Sequence, residues 1–246
     1  MKKTEDRKLL PISRLFPNMI TLTSICMGMS SIRYSLDEKW ELAVTLILIA
    51  AFLDVMDGRI ARLLKATSNF GAHLDSLADM INFGIAPILT LYFWKLRFIE
   101  VKGLGWAIVL FYSICCAIRL ARFNSDLDVE DQPIWVDKFF VGVPSTVGAF
   151  LVLAPMMIGF ESSFNFSPVF LGLYATIIAL LMASRVPTFS SKRIVIKRHF
   201  ATFALAVAGL IIASAIIKPW IALPILAVCY MITVPISLVV FLKKYK

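Results

Sequence analysis

What constrains this chain most is a series of apolar runs, each close to the roughly 20 residues that a helix needs to cross the hydrocarbon of a bilayer. They fall at about 18–35, 40–64, 72–94, 104–123, 144–160, 168–184, 200–217 and 220–241. In lipid a backbone must satisfy its own polar groups, so runs of this length fold as helices. Hydrophobic residues make up 59% of the sequence and charged ones 17%, which excludes an ordinary soluble domain. The expected fold is an all-α integral membrane protein of about eight transmembrane helices. Pro17 suits the first turn of the first span, Asp37 can cap the second, Ser68 or Asn69 can open the third, and Pro144 and Pro168 suit the starts of the fifth and sixth.

Charge orients these spans. With a cytoplasmic N-terminus, nineteen of the 25 lysines and arginines fall in cytoplasmic segments. Both termini then face the cytoplasm. The net charge of +9 sits in short clusters between apolar runs, so its partners are anionic membrane lipids rather than nucleic acid. The first 16 residues, with Lys2, Lys3, Arg7 and Lys8, read as a basic amphipathic segment on the membrane surface. Cys26, Cys115, Cys116 and Cys229 have no zinc-site spacing and read as small buried hydrophobes. The acids between Asp126 and Asp137 lack EF-hand spacing and read as a solvated loop. His73 is offset from the aspartate face described next, and His199 reads as interfacial.

Four carboxylates break the apolar pattern. Asp54 and Asp57 lie three apart near the end of the second span, and Asp75 and Asp79 four apart in the third, so each pair shares a helix face. Uncompensated carboxylates beside a bilayer cost several kcal/mol each, which implies cations. Oxygen-only donors select hard ions, so two Mg²⁺ or Mn²⁺ are expected, with Ca²⁺ also compatible. Gly58 and Ala61 leave a patch beside the carboxylates where a ligand can approach the backbone; Gly71 leaves another, and Arg62 supplies a phosphate-binding fork. A two-metal site of this kind can hold a diphosphate and assist its cleavage. Buried aspartates are equally an ion-pathway signal, so a divalent-cation transporter is the alternative of another class.

The order Asp54-x2-Asp57-Gly58-x2-Ala61-Arg62-x8-Gly71-x3-Asp75-x3-Asp79 resembles, at every fixed position, the signature of the CDP-alcohol phosphatidyltransferase family. That resemblance implies a membrane enzyme moving a phosphatidyl group from CDP-diacylglycerol to an alcohol, with release of CMP. It implies Asp54, Asp57 and Asp75 as metal ligands, and Asp79 as both ligand and general base. Gly58, Ala61, Arg62 and Gly71 would shape the cytidine diphosphate pocket. The segments around Phe16–Gly28, Arg119–Asn124, Phe140–Ser145 and Met182–Lys192 resemble the branch of the family that uses serine.

From that branch Asn18 and Thr21 are expected to contact the nucleotide. Two arginines three apart, Arg119 and Arg122, make a clamp for the serine carboxylate, to which Asn124 adds a polar contact. Glycerol 3-phosphate or inositol phosphate are the alternative acceptors, since the same arginines could bind a phosphate. The resemblance further implies a homodimer in a bacterial or archaeal plasma (inner) membrane, with the site facing the cytoplasm. It divides the chain into the basic segment 1–16, a six-helix catalytic core over 17–199, and two additional C-terminal helices with a basic tail over 200–246, which contain no acid and little polarity.

Overall fold

The computed structural model describes residues 15–127, 139–162, 164–189 and 201–245. The basic N-terminal segment up to Arg14, the loop acids Asp128 to Asp137, and the cluster of Lys192, Arg193, Lys197, Arg198 and His199 lie outside the described residues. Helix α1 spans Phe16–Leu36, α2 Trp40–Leu63 and α3 Asn69–Asp79. A π-helical segment over Met80–Ile85 continues α3 into α4, Ala86–Trp94. Then follow α5 Leu104–Leu127, α6 Ser145–Glu161, α7 Pro168–Ala183, α8 Ala201–Ile217 and α9 Pro219–Tyr245.

The described chain is thus mainly helical, as its apolar runs lead one to expect. Asn69–Trp94, Leu104–Ser125 and Pro219–Lys243 are each long and apolar enough to cross a membrane. Ser145–Glu161, Pro168–Ala183 and Thr202–Ile217 are apolar but shorter. Helix α2 has the length, but Asp54, Asp57, Arg59 and Arg62 interrupt its apolarity.

The helix starts follow their local chemistry. Pro17 sits in the first turn of α1 and Pro168 opens α7, where a missing N–H costs nothing. Ser68 caps α3, its Oγ accepting from Gly71 N at 3.0 Å. Pro144 is the residue before α6. Asp37 does not cap α2: it closes α1 instead, its backbone N–H donating to Arg33 O and Ser35 O, and α2 begins only after Lys39. Glu38, at φ 58°, lets the chain reverse between the two helices.

Small residues bring α1 close to its neighbours. Pro17, Thr21, Ser24, Gly28, Ser31 and Ser35, spaced by three and four, form its buried face. Ser24 Oγ donates to Ala50 O of α2 at 3.1 Å and accepts from Asn82 Nδ2 at 2.6 Å, and Ser35 and Thr90 share a hydrogen bond of 2.8 Å. The apolar core lies among α4, α5, α6 and α7, around Tyr112, Leu91, Met156, Leu171 and Ile178, all fully buried.

Prolines inside helices account for two further features. A proline removes the hydrogen bond to the carbonyl four residues back. Pro87 frees Phe83 O at the π segment, and Tyr112 OH donates to it at 3.3 Å while Ser113 Oγ donates to Gly84 O at 2.9 Å. Pro155 frees Leu151 O in α6, and Tyr174 OH of α7 donates to it at 2.8 Å. In lipid a freed carbonyl needs a replacement donor, and these hydroxyls supply one.

A small antiparallel pair departs from the all-helical expectation. β1, Phe139–Val141, runs beside β2, Pro187–Phe189, with Phe140 opposite Thr188. It ties the entry of α6 to the exit of α7. Helix α9 packs along α6 and β2 and is fastened there by Ser237 Oγ, which donates to Pro187 O at 2.7 Å.

Candidate active site

The four aspartates meet at one end of the bundle. The opposite end is marked by Arg97 donating to Glu38 at 2.8 Å and Lys95 donating to Asn165 at 2.8 Å. Asp54 and Asp57 come from the C-terminal half of α2, and Asp75 and Asp79 from α3. One carboxylate oxygen each of Asp54, Asp57 and Asp75 lies within 4.8 Å of the others, a group that could hold a metal ion. Asp79, one turn further along α3 than Asp75, lies within electrostatic reach of the Asp54 carboxyl and so adjoins the same cluster. Asp75 is exposed, Asp54 half-buried and Asp57 buried, so the cluster reaches from the surface inward.

The residues around these carboxylates fall into two groups. On one side opens a cavity of about 440 Å³ lined by Asn18, Thr21, Gly58, Ala61, Arg62, Gly71, Asp57 and Asp75. All six residues expected to shape a nucleotide pocket therefore line one space. A side chain at Gly58 would meet nothing within 4 Å, so the open floor is real, whereas one at Gly71 would touch Asn18 Oδ1 and Ser68 Oγ at 3.2 Å. Arg62 is held along its helix by Nε donating to Gly58 O at 3.0 Å. Thr21 reaches across from α1 and donates to Asp57 Oδ2 at 2.6 Å. That bond fixes the rotamer of Asp57, which is buried.

On the other side stand the residues expected to bind the acceptor, and they separate. Arg119 Nη1 donates to Ser145 Oγ at 3.0 Å, and Ser145 Oγ donates to Asp79 Oδ2 at 3.3 Å. Arg119 thus faces the aspartates through one hydroxyl. Arg122 turns away toward α7, donating from Nη1 to Ser184 O at 3.0 Å and from Nη2 to Ala183 O at 2.6 Å. These are the unsatisfied carbonyls at the end of that helix, where a cation is favoured. Asn124 Oδ1 accepts from Ser76 Oγ at 3.1 Å, joining α5 to α3.

Ser145 was not singled out as a site residue by the sequence. Its signal was available: it stands at the first position of α6 behind Val-Gly-Val-Pro, and a helix N-terminus favours a nearby anion.

With this geometry in hand, the comparison with known proteins is decisive. Residues 14–184 match the model of the CDP-alcohol phosphatidyltransferase family. The chain belongs to that family. Its relatives include proteins named CDP-diacylglycerol–serine O-phosphatidyltransferase. The one from Mycobacterium leprae (strain TN) is 36% identical over 227 residues, 92% of this chain and 75% of that protein. The one from Helicobacter pylori (strain J99) is 34% identical over 223 residues, 89% of this chain and 88% of that protein. A third, from Methanocaldococcus jannaschii, is 32% identical over 206 residues, covering 83% and 87%. Family membership and the three long apolar helices together make this CDP-alcohol phosphatidyltransferase a membrane protein.

Proposed function

We propose that the protein is a phosphatidylserine synthase: it transfers the phosphatidyl group of CDP-diacylglycerol to the hydroxyl of L-serine, giving phosphatidylserine and CMP. The observation that carries this is the convergence of carboxylates from α2 and α3 beside a cavity of nucleotide size, in a chain whose relatives bear that name.

Asp54, Asp57, Asp75 and Asp79 would hold two divalent ions, Mg²⁺ or Mn²⁺; the all-oxygen donor set fits such ions, and Asp79 Oδ1 is buried without a hydrogen-bond partner among the described residues. Bound there, the ions would supply neutralisation of the diphosphate and of the departing phosphate oxygen. Asn18, Thr21, Gly58, Ala61, Arg62 and Gly71 receive the cytidine diphosphate. Ser145 and Arg119 hold Asp79 Oδ2, which leaves Oδ1 to take the proton of the acceptor hydroxyl. The serine oxygen forms its bond to the phosphatidyl phosphorus as the bond from that phosphorus to CMP breaks. Arg119 faces the serine carboxylate; Arg122 and Asn124 shape the wall behind it.

The surrounding architecture is an eight-span homodimer in the plasma membrane with both termini and the site on the cytoplasmic side. Lipid enters between helices while nucleotide and serine exchange with water. Residues 17–199 form the catalytic core, and the clusters of lysine and arginine in the sequence have anionic membrane lipids as partners.

The test is purified protein in lipid nanodiscs with CDP-diacylglycerol and, in turn, L-serine, glycerol 3-phosphate and inositol phosphate. CMP release and phosphatidylserine formation with serine are expected, abolished by EDTA and restored by Mn²⁺ or Mg²⁺. CMP release with a phosphorylated alcohol and not with serine would refute the choice of acceptor. Metal flux into liposomes without any CDP-dependent reaction would refute the enzyme and favour a transporter.

A further inference from the structure

Buried polar atoms without partners cost about 1–3 kcal/mol each, so a cluster of them marks a place where something else belongs. Among the described residues four side-chain atoms are in this state: Asp79 Oδ1, Asn82 Oδ1, Arg119 Nε and Tyr230 OH. Asn82 Oδ1 stands apart, pressed against Gly28 of α1. The other three belong to one connected set. Asp79 is joined to Arg119 through Ser145, and the Tyr230 hydroxyl lies within electrostatic reach of the Arg119 guanidinium.

Tyr230 comes from α9, beyond residue 184 where the family match ends. Its placement is not incidental to that helix. Ala227, Tyr230, Val234 and Ser237 recur every three or four residues and form the face of α9 that packs inward, with Ala227, Val234 and Ser237 buried. Ser237 fastens the face to Pro187 of β2, and Tyr230 stands two turns earlier beside Thr188 of the same strand. Thr188 in turn donates to Gly142 O at 2.9 Å, three residues before Ser145. The hydroxyl of Tyr230 is therefore held against the wall that carries Ser145.

The chemistry of these three atoms points to a ligand, with the Thr188 hydroxyl also within reach of Tyr230 OH. Arg119 Nε and Tyr230 OH are donors beside a fixed positive charge, which calls for an anionic acceptor. Asp79 Oδ1 is an acceptor and calls for a hydroxyl. We propose that Tyr230 makes α9 part of the acceptor subsite: its hydroxyl and Arg119 Nε receive the carboxylate of a small hydroxy acid whose hydroxyl points to Asp79 Oδ1, so that Tyr230 helps set the choice of acceptor. This rests on the serine-transferase reading above and adds to it a residue outside the six-helix core.

Tyr230→Phe removes only the hydroxyl. It is expected to raise KM for L-serine about tenfold, as loss of one hydrogen bond to a charged group does, while KM for CDP-diacylglycerol and kcat stay within about twofold. Stabilisation of the purified protein by L-serine, read as a thermal shift in the presence of CMP, should shrink in parallel. Ser237→Ala serves as the structural control: it removes a buried bond on the same face, and should lower thermal stability with no selective change in KM for serine. An unchanged KM for serine in Tyr230→Phe overturns the proposal. So does a rise shared equally by both substrates and accompanied by lost thermal stability, since that is what a packing role gives. If the wild type forms no phosphatidylserine, the underlying reading fails first, which the unmutated protein alone reveals.

Discussion

Asp79→Asn is expected to lower turnover by roughly 10²–10⁴, the range lost when a positioned proton acceptor is removed. The substitution keeps the shape of the side chain and leaves an oxygen for Ser145 Oγ to donate to, so the bridge to Arg119 persists. What disappears is the group able to take a proton at the position of Oδ1. Nucleotide binding should survive in part, because the cavity is lined by Asp57 and Asp75 and not by Asp79. Asp57→Asn makes the contrast: it weakens the carboxylate that Thr21 orients, and should reduce nucleotide-dependent binding together with turnover. Single-turnover CMP release and CMP binding, measured on the same preparations, separate the two. Near-normal turnover in Asp79→Asn would remove it from the role of base.

The aspartate pairing was legible because carboxylates at helical spacing have only one arrangement that puts them on one face, and the short Leu64–Ser68 connection leaves α2 and α3 little choice but to adjoin. The cavity residues were legible for the same reason, since Gly58 and Ala61 follow Asp57 around one helix. Arg119 and Arg122 read alike in sequence, three apart at one helix end. Their fates differ because α7 ends against one of them and α6 begins against the other, which is tertiary information. The π segment over Met80–Ile85 could have been found: Pro87 inside an apolar span announces a freed carbonyl, and Tyr112 and Ser113 are the hydroxyls that answer it. Tyr230 could not. A helix apolar on every side shows no preferred face until its neighbour is known. Strands β1 and β2 were equally invisible, three residues each, formed where two helix ends happen to lie side by side.

Those strands carry the second large effect. Gly142, just after β1, has φ +78°, and a Cβ there would stand 2.7 Å from Met182 O and 2.8 Å from Ser184 O. Both are backbone atoms at the end of α7, and Ser184 O already accepts from Arg122, so neither can give way freely. Gly142→Ala therefore combines a left-handed conformation, costing about 1–2 kcal/mol for an L-residue, with a backbone collision; a loss of about 3–5 kcal/mol in stability is expected. It should also reach the chemistry. Gly142 N donates to Val186 O at 2.8 Å and Val143 N to Leu181 O at 3.2 Å, and these bonds set where Ser145 presents its hydroxyl to Asp79. Variants that survive purification should be slow even below their unfolding temperature. Gly58→Ala should behave in the opposite sense. It sits inside α2 with nothing within 4 Å of an added methyl, so helix propensity alone would raise stability by up to about 1 kcal/mol. Its methyl would occupy the floor of the cavity beside Asp57, and weaker CDP-diacylglycerol binding in a more stable protein is the expected outcome. Thermal unfolding and KM for CDP-diacylglycerol, measured on both variants, place the two glycines on opposite sides of the line between folding and function; equal behaviour would mean that the space above Gly58 is not where the nucleotide lies.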